Sequence, residues 1–147
     1  MSQPPTPARR TIQLLHSHAD GSRHVDWLIA QDPRGREPLI TFRVGQRIDQ
    51  LAVGQQLTAR RIADHRPVYL GYEGPISGNR GSVSRLSRGT VISLEQQPDL
   101  WHLEVSWHSQ TGAPQYQRLR MERKGPDEWT IVCTSRDSNS PTEPQDR

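Results

Sequence analysis

Alternation of apolar and polar residues is the feature that most limits the folds open to this chain. In the segment from Trp101 to His108, each tryptophan, leucine or valine is followed by a polar residue. Successive side chains of a β-strand point to opposite faces, so this pattern predicts a strand with one buried face. Similar patterns predict strands at Thr11–Leu15, His24–Ile29, Leu39–Val44, Val68–Tyr72, Gly81–Leu86, Thr90–Glu95, Tyr116–Met121 and Trp129–Thr134.

Turn signals separate these strands, and helical patterns are almost absent. The turns are expected at Asp32-Pro33-Arg34-Gly35, Gly78-Asn79-Arg80-Gly81, Arg88-Gly89 and Gly125-Pro126. One short helix is expected at about Arg47 to Leu51. Many short strands with little helix predict a mainly β fold, a single compact β-barrel of about eight or more mostly antiparallel strands.

The composition indicates one domain with a modest core. Hydrophobic residues make up 31% of the 147 residues, which suits a sheet or barrel with one wet face. Residues 1–10 and 137–147 lack the apolar surface that offsets the entropy of ordering, so we expect a disordered arm and a disordered tail. The domain itself is predicted to span residues 11–136.

The charge is mildly basic, with 19 lysines and arginines against 16 aspartates and glutamates. All the basic residues except Lys124 are arginine, which suits phosphate binding but also follows from a GC-rich genome. Cys133 is the single cysteine, so no intramolecular disulfide is expected. With no membrane span or signal peptide in the pattern, we expect a soluble, cytoplasmic monomer.

A histidine-rich segment, HSHADGSRHVD, runs from His16 to Asp26. His24 and Asp26 point the same way in a strand and present an imidazole and a carboxylate to one cation. His18 lies across the turn Ala19-Asp20-Gly21-Ser22 and can supply a third ligand. Such a set suits Mn²⁺, Zn²⁺ or Fe²⁺ and leaves coordination positions open. Alternatively, His24 and Asp26 form an ordinary exposed pair, and His16 competes with His18.

The segment from Ala63 to Thr90 carries further polar candidates. His65 precedes a proline turn. Arg80, Arg85 and Arg88 follow a glycine-rich stretch that lacks the lysine of a P-loop. A solvated hairpin is the favoured interpretation for Arg85 and Arg88. The histidines of the alternating strand, His102 and His108, are expected to be polar residues facing solvent or the barrel interior rather than ligands.

Together these segments resemble a known family. HADGSRHVD is similar to the His-x5-His-x-Asp signature of the DNA ligase D 3′-phosphoesterase domain (the DNA polymerase ligase N-terminal domain) and its stand-alone relatives. ADHRPVYLGYEGPISGNRGSVSRLSRGTV resembles the second block of that family, and GPDEWTIVCTSRD resembles its last strand. The resemblance runs from about Thr11 to Asp137.

The resemblance implies a compact β-barrel with a Mn²⁺-dependent site that trims DNA 3′ ends, removing a terminal phosphate or ribonucleotide. Zn²⁺ or another divalent metal remains possible, as do a ligase or polymerase partner and other phosphate-bearing substrates. His65 would be the catalytic residue at the scissile phosphate. Tyr69 and Arg80 would contact the substrate phosphate. The metal ligands implied are His18, His24 and Asp26.

The chain also departs from the family at polar positions. Leu28 stands where the family has an arginine that neutralises the substrate phosphate, and Ala63 stands at an acidic position. The family lysine is missing, and Arg43 or Arg47 could replace it. Two alternatives therefore stay open. The chain could be a weakened or inactive barrel that binds nucleic-acid ends or a repair partner, or a phosphoesterase acting on another phosphate ester.

Overall fold

The computed structural model describes residues 7–109 and 112–137. This part of the chain forms antiparallel strands joined by turns, with two short 3-10 helices at Ile48–Gln50 and Pro67–Leu70. A mainly β fold is therefore confirmed, and the short helix expected near Arg47 is a 3-10 turn. The strands are β1 Arg9–Ser17, β2 Arg23–Ile29, β3 Leu39–Val44, β4 Gln56–His65, β5 Gly74–Pro75, β6 Ser82–Gln96, β7 Leu100–Trp107, β8 Gln115–Arg123 and β9 Glu128–Asp137.

The strands make one sheet that closes on itself. Its order is β1-β2-β3-β4-β9-β8-β7-β6, and β6 pairs back onto β1, so eight strands form a ring. The short strand β5 adds to the free side of β6 near Val83. Within the described ranges, the structure has no apolar helix of the length that a membrane crossing requires.

The core has two parts, one on each face of the sheet. The larger cluster fills the ring and contains aromatic side chains in mutual contact; Phe42 meets Trp101 at 5.7 Å and Trp129 at 5.8 Å between ring centroids. The smaller cluster lies outside the ring, where residues 66–81 cover β1 and β2. It consists of Ile12, Leu14, Leu28, Ala30, Leu39, Leu70 and Val83. Strand β2 is therefore buried on both faces from Val25 onward.

Buried amides fix one end of the ring. Gln13 accepts from the backbone N–H of Ile48 at 2.6 Å, and Gln117 donates to the Ile48 carbonyl at 2.9 Å. Gln117 also accepts the indole N–H of Trp107 at 2.8 Å. Because buried amides need partners, these bonds hold the 3-10 turn at Ile48–Gln50 against the ring.

Three local predictions are wrong. Val68–Tyr72 is not a strand, since Pro67 starts a 3-10 turn that brings Leu70 onto the outer cluster. Arg88-Gly89 is not a turn. The strands expected at Gly81–Leu86 and Thr90–Glu95 form the single strand β6. Gly89 lies within this strand because its lack of a side chain allows the β7 backbone to approach closely. Strand β4 was missed because its residues Gln56–His65 are largely polar and exposed.

The ends of the domain reach beyond the predicted limits. β1 begins at Arg9, where a disordered arm was expected through Arg10, and β9 ends at Asp137. The rest of the predicted arm and tail, residues 1–6 and 138–147, lies outside the described residues.

Candidate metal centre

A tight turn joins β1 to β2 and brings the histidines of the two strands together. The backbone N–H of His18 donates to Ser22 at 2.8 Å, and that of Gly21 donates back to His18 at 3.0 Å. Gly21 has a φ of +89°, which glycine adopts without steric cost. The Asp20 carboxylate accepts from the backbone and hydroxyl of Ser22 and closes the turn. The turn expected at Ala19–Ser22 is confirmed.

The turn produces a cluster of three imidazole rings. His16 is the direct cross-strand partner of His24, and the ring of His18 stacks on that of His16 with 4.1 Å between centroids. One nitrogen from each of the three rings lies within 4.8 Å of the others. The cluster could hold a metal ion.

Asp26 lies beside the cluster and is 1% exposed. Its Oδ1 is 3.2 Å from Nε2 of His24 and 3.6 Å from Nε of Arg43. Its Oδ2 is 3.5 Å from Nε2 of His65 and 3.9 Å from Nδ1 of His16. Burial alone would raise the pKa of Asp26, but the His65 contact and the charges of His24 and Arg43 together lower it, so the carboxylate stays ionised.

Two atoms of this group fit a bound cation. Nε2 of His24 and Oδ1 of Asp26 are both buried and make no hydrogen bond, although they are only 3.2 Å apart. Buried polar atoms are rarely left unpaired. Metal–nitrogen and metal–oxygen bonds of about 2.0–2.2 Å place neighbouring ligands about 3 Å apart. Imidazole and carboxylate are also the donors that Mn²⁺, Zn²⁺ and Fe²⁺ share.

The other ring nitrogens decide which edge of each histidine faces the site. Nε2 of His16 donates to the carbonyl of Arg80 at 2.8 Å, which turns Nδ1 toward Asp26. His18 contacts Nδ1 of His24 at 2.9 Å, on the edge of the ring opposite Asp26. A cation between His24 and Asp26 therefore has His16 beside it, with His18 orienting His24. A cation between His24 and His18 instead leaves Asp26 to orient His24.

The surroundings keep His24 in the form that binds metal. Burial lowers its pKa, the charges of Arg43, His16 and His18 lower it further, and Asp26 opposes them. A neutral imidazole is the ligand form, so a lowered pKa favours binding.

A cavity of about 500 Å³ opens over the group. His65, at the end of β4, reaches it with Nδ1 held by the carbonyl of Ala63 at 3.2 Å, so Nε2 faces Asp26. Tyr69 lies 5.6 Å from the His65 ring between centroids. The cavity is lined by His16, Asp26, Arg43, Asp64, His65, Arg66, Tyr69, Ile76, Ser77, Arg80 and Val83.

The structure thus brings all six predicted site residues into one region, although their roles stay predictions. Arg80 lines the cavity, but its guanidinium donates to the backbone and hydroxyl of Ser77 at 2.7 and 3.2 Å. His102 and His108 are exposed and lie outside the histidine cluster.

The departures from the family pattern have structural counterparts. Leu28 is fully buried in the outer cluster and does not line the cavity. Ala63 lines a neighbouring cavity, and Asp64 lines the site instead. Arg43 is the cross-strand partner of Asp26 and lines the cavity. From the sequence, Arg43 could be named only as one of two candidate replacements, with Arg47, because the strand register was not known.

The comparisons with known proteins add no relative. No protein-family model matches the chain, and no curated protein matches it. The likeness to the phosphoesterase family stays a prediction from the sequence motifs.

Proposed function

We propose that this chain is a metal-dependent phosphoesterase that processes DNA or RNA-tipped 3′ ends, as in DNA end repair. The observation that carries the proposal is the grouping of His16, His24, His65 and Arg43 around the buried carboxylate of Asp26. Of these residues, all but His24 line one cavity. Hydrolysis of a phosphate ester needs an activated water, positive charge at the phosphoryl oxygens and a proton for the leaving group. This group of residues offers all three.

The metal would be Mn²⁺, with Zn²⁺ or another divalent ion as the alternative. When bound, such an ion polarises a phosphoryl oxygen and lowers the pKa of a water molecule. His18, His24 and Asp26 are the ligands that the motif implies. With the ion between His24 and Asp26, His16 would be the third ligand in place of His18, which contacts the opposite edge of the His24 ring. The ring of eight strands would be the barrel of the phosphoesterase family.

His65 and Arg43 would act directly on the substrate. With Nδ1 of His65 held by the Ala63 carbonyl, Nε2 lies 3.5 Å from Asp26 at the cavity wall. This nitrogen would donate to a bound phosphate or to its leaving oxygen in place of its contact with Asp26. Arg43 has a half-exposed side chain at the cavity wall and would neutralise the phosphate in place of the family arginine at Leu28. Tyr69 would position the phosphate through its hydroxyl.

A second candidate is a barrel that binds nucleic-acid 3′ ends, or a ligase or polymerase partner, without turning substrate over. The observation in its favour concerns two arginines that the family would offer to the phosphate. Arg80 already donates to Ser77, and the buried Leu28 stands in place of the other arginine. This candidate predicts salt-dependent DNA binding that survives the loss of the histidines.

Substitution at His65 tests the proposed enzyme against this candidate. We expect His65→Ala to lower the rate of phosphate release from a 3′-phosphorylated primer by about 10²–10³-fold at saturating metal, since His65 would act on the substrate. His102→Ala, on the exposed face of β7, is the matched control and should leave the rate unchanged. Absence of metal-dependent release from the unaltered protein, with DNA binding retained, would favour the non-catalytic candidate.

A further inference from the structure

A second polar cleft, of about 600 Å³, lies where β6 continues past the end of β7. Strand β7 ends at Trp107, whose partner is Gly89, so residues 85–88 of β6 continue beyond the end of β7. The register shift in the β1–β6 pairing leaves Leu86 without a partner in β1. The cleft is lined by Arg47, Asp49, Arg85, Leu86, Ser87, Arg88, Trp107, His108, Ser109 and Gln115.

The cleft carries excess positive charge. Asp49, the only carboxylate among the described residues that line the cleft, is paired with the guanidinium of Arg47 at 3.0 and 2.8 Å and also accepts from Gln13. Arg85 reaches only Glu73, at 3.9 Å. Within the described residues, the side chain of Arg88 makes no ion pair or hydrogen bond. Among the described residues, Arg88 is therefore left without a counter-charge, and Arg85 has only the long ion pair with Glu73.

Neutral donors accompany these arginines. The hydroxyl oxygen of Ser87 accepts from the buried amide of Gln13 at 2.7 Å, which leaves its O–H free to donate into the cleft. His108 is exposed at the rim and can donate from its ring. Planar guanidinium groups combined with hydroxyl and imidazole donors match the oxygens of a phosphate group.

We propose that this cleft is a second phosphate-binding site, built without the metal, which takes a phosphate group carried by a free nucleotide or by the backbone of a nucleic-acid strand. The cleft shares no lining residue with the metal-centre cavity. It adjoins that cavity along β6, because Val83 lines the cavity and Arg85 lines the cleft. The site does not depend on the proposed hydrolytic function.

Titration with inorganic phosphate, followed by the indole N–H resonances of the four tryptophans, tests the site. We expect the Trp107 signal to move, since its ring lines the cleft, and the signals of Trp27, Trp101 and Trp129 to stay in place. Arg88→Gln should weaken phosphate binding by about tenfold or more, because hydrogen bonds to charged groups are strong. Arg85→Gln is the second variant, and both side chains are exposed enough for folding to be retained.

Arg120→Gln is the matched control, since Arg120 is an exposed arginine on β8 that pairs with Glu122 at 3.2 Å. It should leave phosphate affinity unchanged. Equal weakening by Arg88→Gln and Arg120→Gln would reduce the effect to net charge and overturn the site. An unmoved Trp107 resonance would overturn it as well.

Two further titrations distinguish a free nucleotide from a nucleic-acid strand as the source of the phosphate. They also test whether binding at the cleft is independent of the metal centre. Adenosine 5′-monophosphate and an oligothymidylate with a 3′-hydroxyl end are each titrated with a chelator present, into the unaltered protein and into His24→Ala. Arg88-dependent binding of both probes supports a nucleotide site, and binding of the oligomer alone supports a strand site. Binding that disappears with the chelator or with His24→Ala would overturn a site built without metal.

Discussion

Nε2 of His24 and Oδ1 of Asp26 face each other at 3.2 Å, both buried and neither in a hydrogen bond. The two residues are two positions apart in β2, so both side chains point to the outer face of the ring and the strand geometry sets their spacing. His16 reaches the same carboxylate from β1, and His65 reaches it from β4. A site assembled from three strands of a closed sheet is rigid, which is the condition for tight and selective metal binding.

Replacing Asp26 should weaken metal binding whichever edge of His24 takes the ion. We expect Asp26→Asn to lower Mn²⁺ affinity by at least about 10–100-fold, because the carboxylate either binds the metal or orients its ligand. Calorimetric titration of the metal-free protein measures the affinity. Asp99→Asn, at an exposed carboxylate, is the control. Equal affinities for the two variants would remove Asp26 from the metal centre.

Introducing the family arginine at position 28 should destabilise the protein rather than improve the site. Leu28 is fully buried among Ile12, Leu14 and Leu70, so Leu28→Arg places an unpaired charge in an apolar cluster. We expect the free energy of unfolding to fall by about 3–5 kcal/mol, measured by urea denaturation. Val68→Arg, at an exposed position of the covering segment, should change it by less than about 0.5 kcal/mol.

Gly81 should tolerate no side chain. It has a φ of +85°, and an added Cβ would collide with the carbonyl oxygen of Ser17. Gly81→Ala should cost about 1–3 kcal/mol of stability and weaken metal binding, since the neighbouring Arg80 carbonyl orients His16. Thermal unfolding and metal titration check the two effects. Gly45→Ala, where a Cβ meets nothing within 4 Å, should show neither.

Thr11 should stabilise the ring through a buried hydroxyl. It donates to the Leu28 carbonyl at 2.7 Å and accepts the indole N–H of Trp27 at 2.8 Å. Thr11→Val keeps the shape but leaves the indole unpaired, so we expect a loss of about 1–3 kcal/mol in urea denaturation. A loss no greater than that of Thr134→Val, at an exposed threonine, would contradict this role.

The stability of the metal-free protein should depend on the protonation of His24. Burial lowers its pKa below the ordinary 6.5, so below pH 6.5 the unfolded chain binds the proton more readily than the folded one. The free energy of unfolding should therefore rise with pH up to about 6.5, until the unfolded chain loses the same proton. Urea denaturation across this range, with a chelator present, should give a shallower slope for His24→Gln.

Much of the fold could be predicted from the sequence, because alternation reports directly which face of a strand is buried. It worked best for β7, where Trp101, Leu103 and Val105 alternate with polar residues. It failed for β4, whose arginines reach out to solvent or, as with Arg61, lie over the Phe42 ring. It also failed at Gly89, where close approach of two backbones looks like a turn in the sequence.

The candidate site was predictable in part. The His-x5-His-x-Asp spacing places His18, His24 and Asp26 on one hairpin, so local geometry sufficed. His16 was named only as a rival, and its contact with Asp26 depends on the β1–β2 register. Arg43 lies beside Asp26 because of the β2–β3 register, which no local sequence pattern encodes. The second polar cleft was missed because its arginines combine with residues far away in the chain.

The most direct test of the account measures Mn²⁺ binding and phosphate release from a 3′-phosphorylated primer in the same preparation, for the unaltered protein and for His24→Ala. The account predicts tight binding and metal-dependent release in the unaltered protein, with both lost in the variant. Undiminished binding and release in His24→Ala would contradict it, as would an unaltered protein that binds no divalent metal.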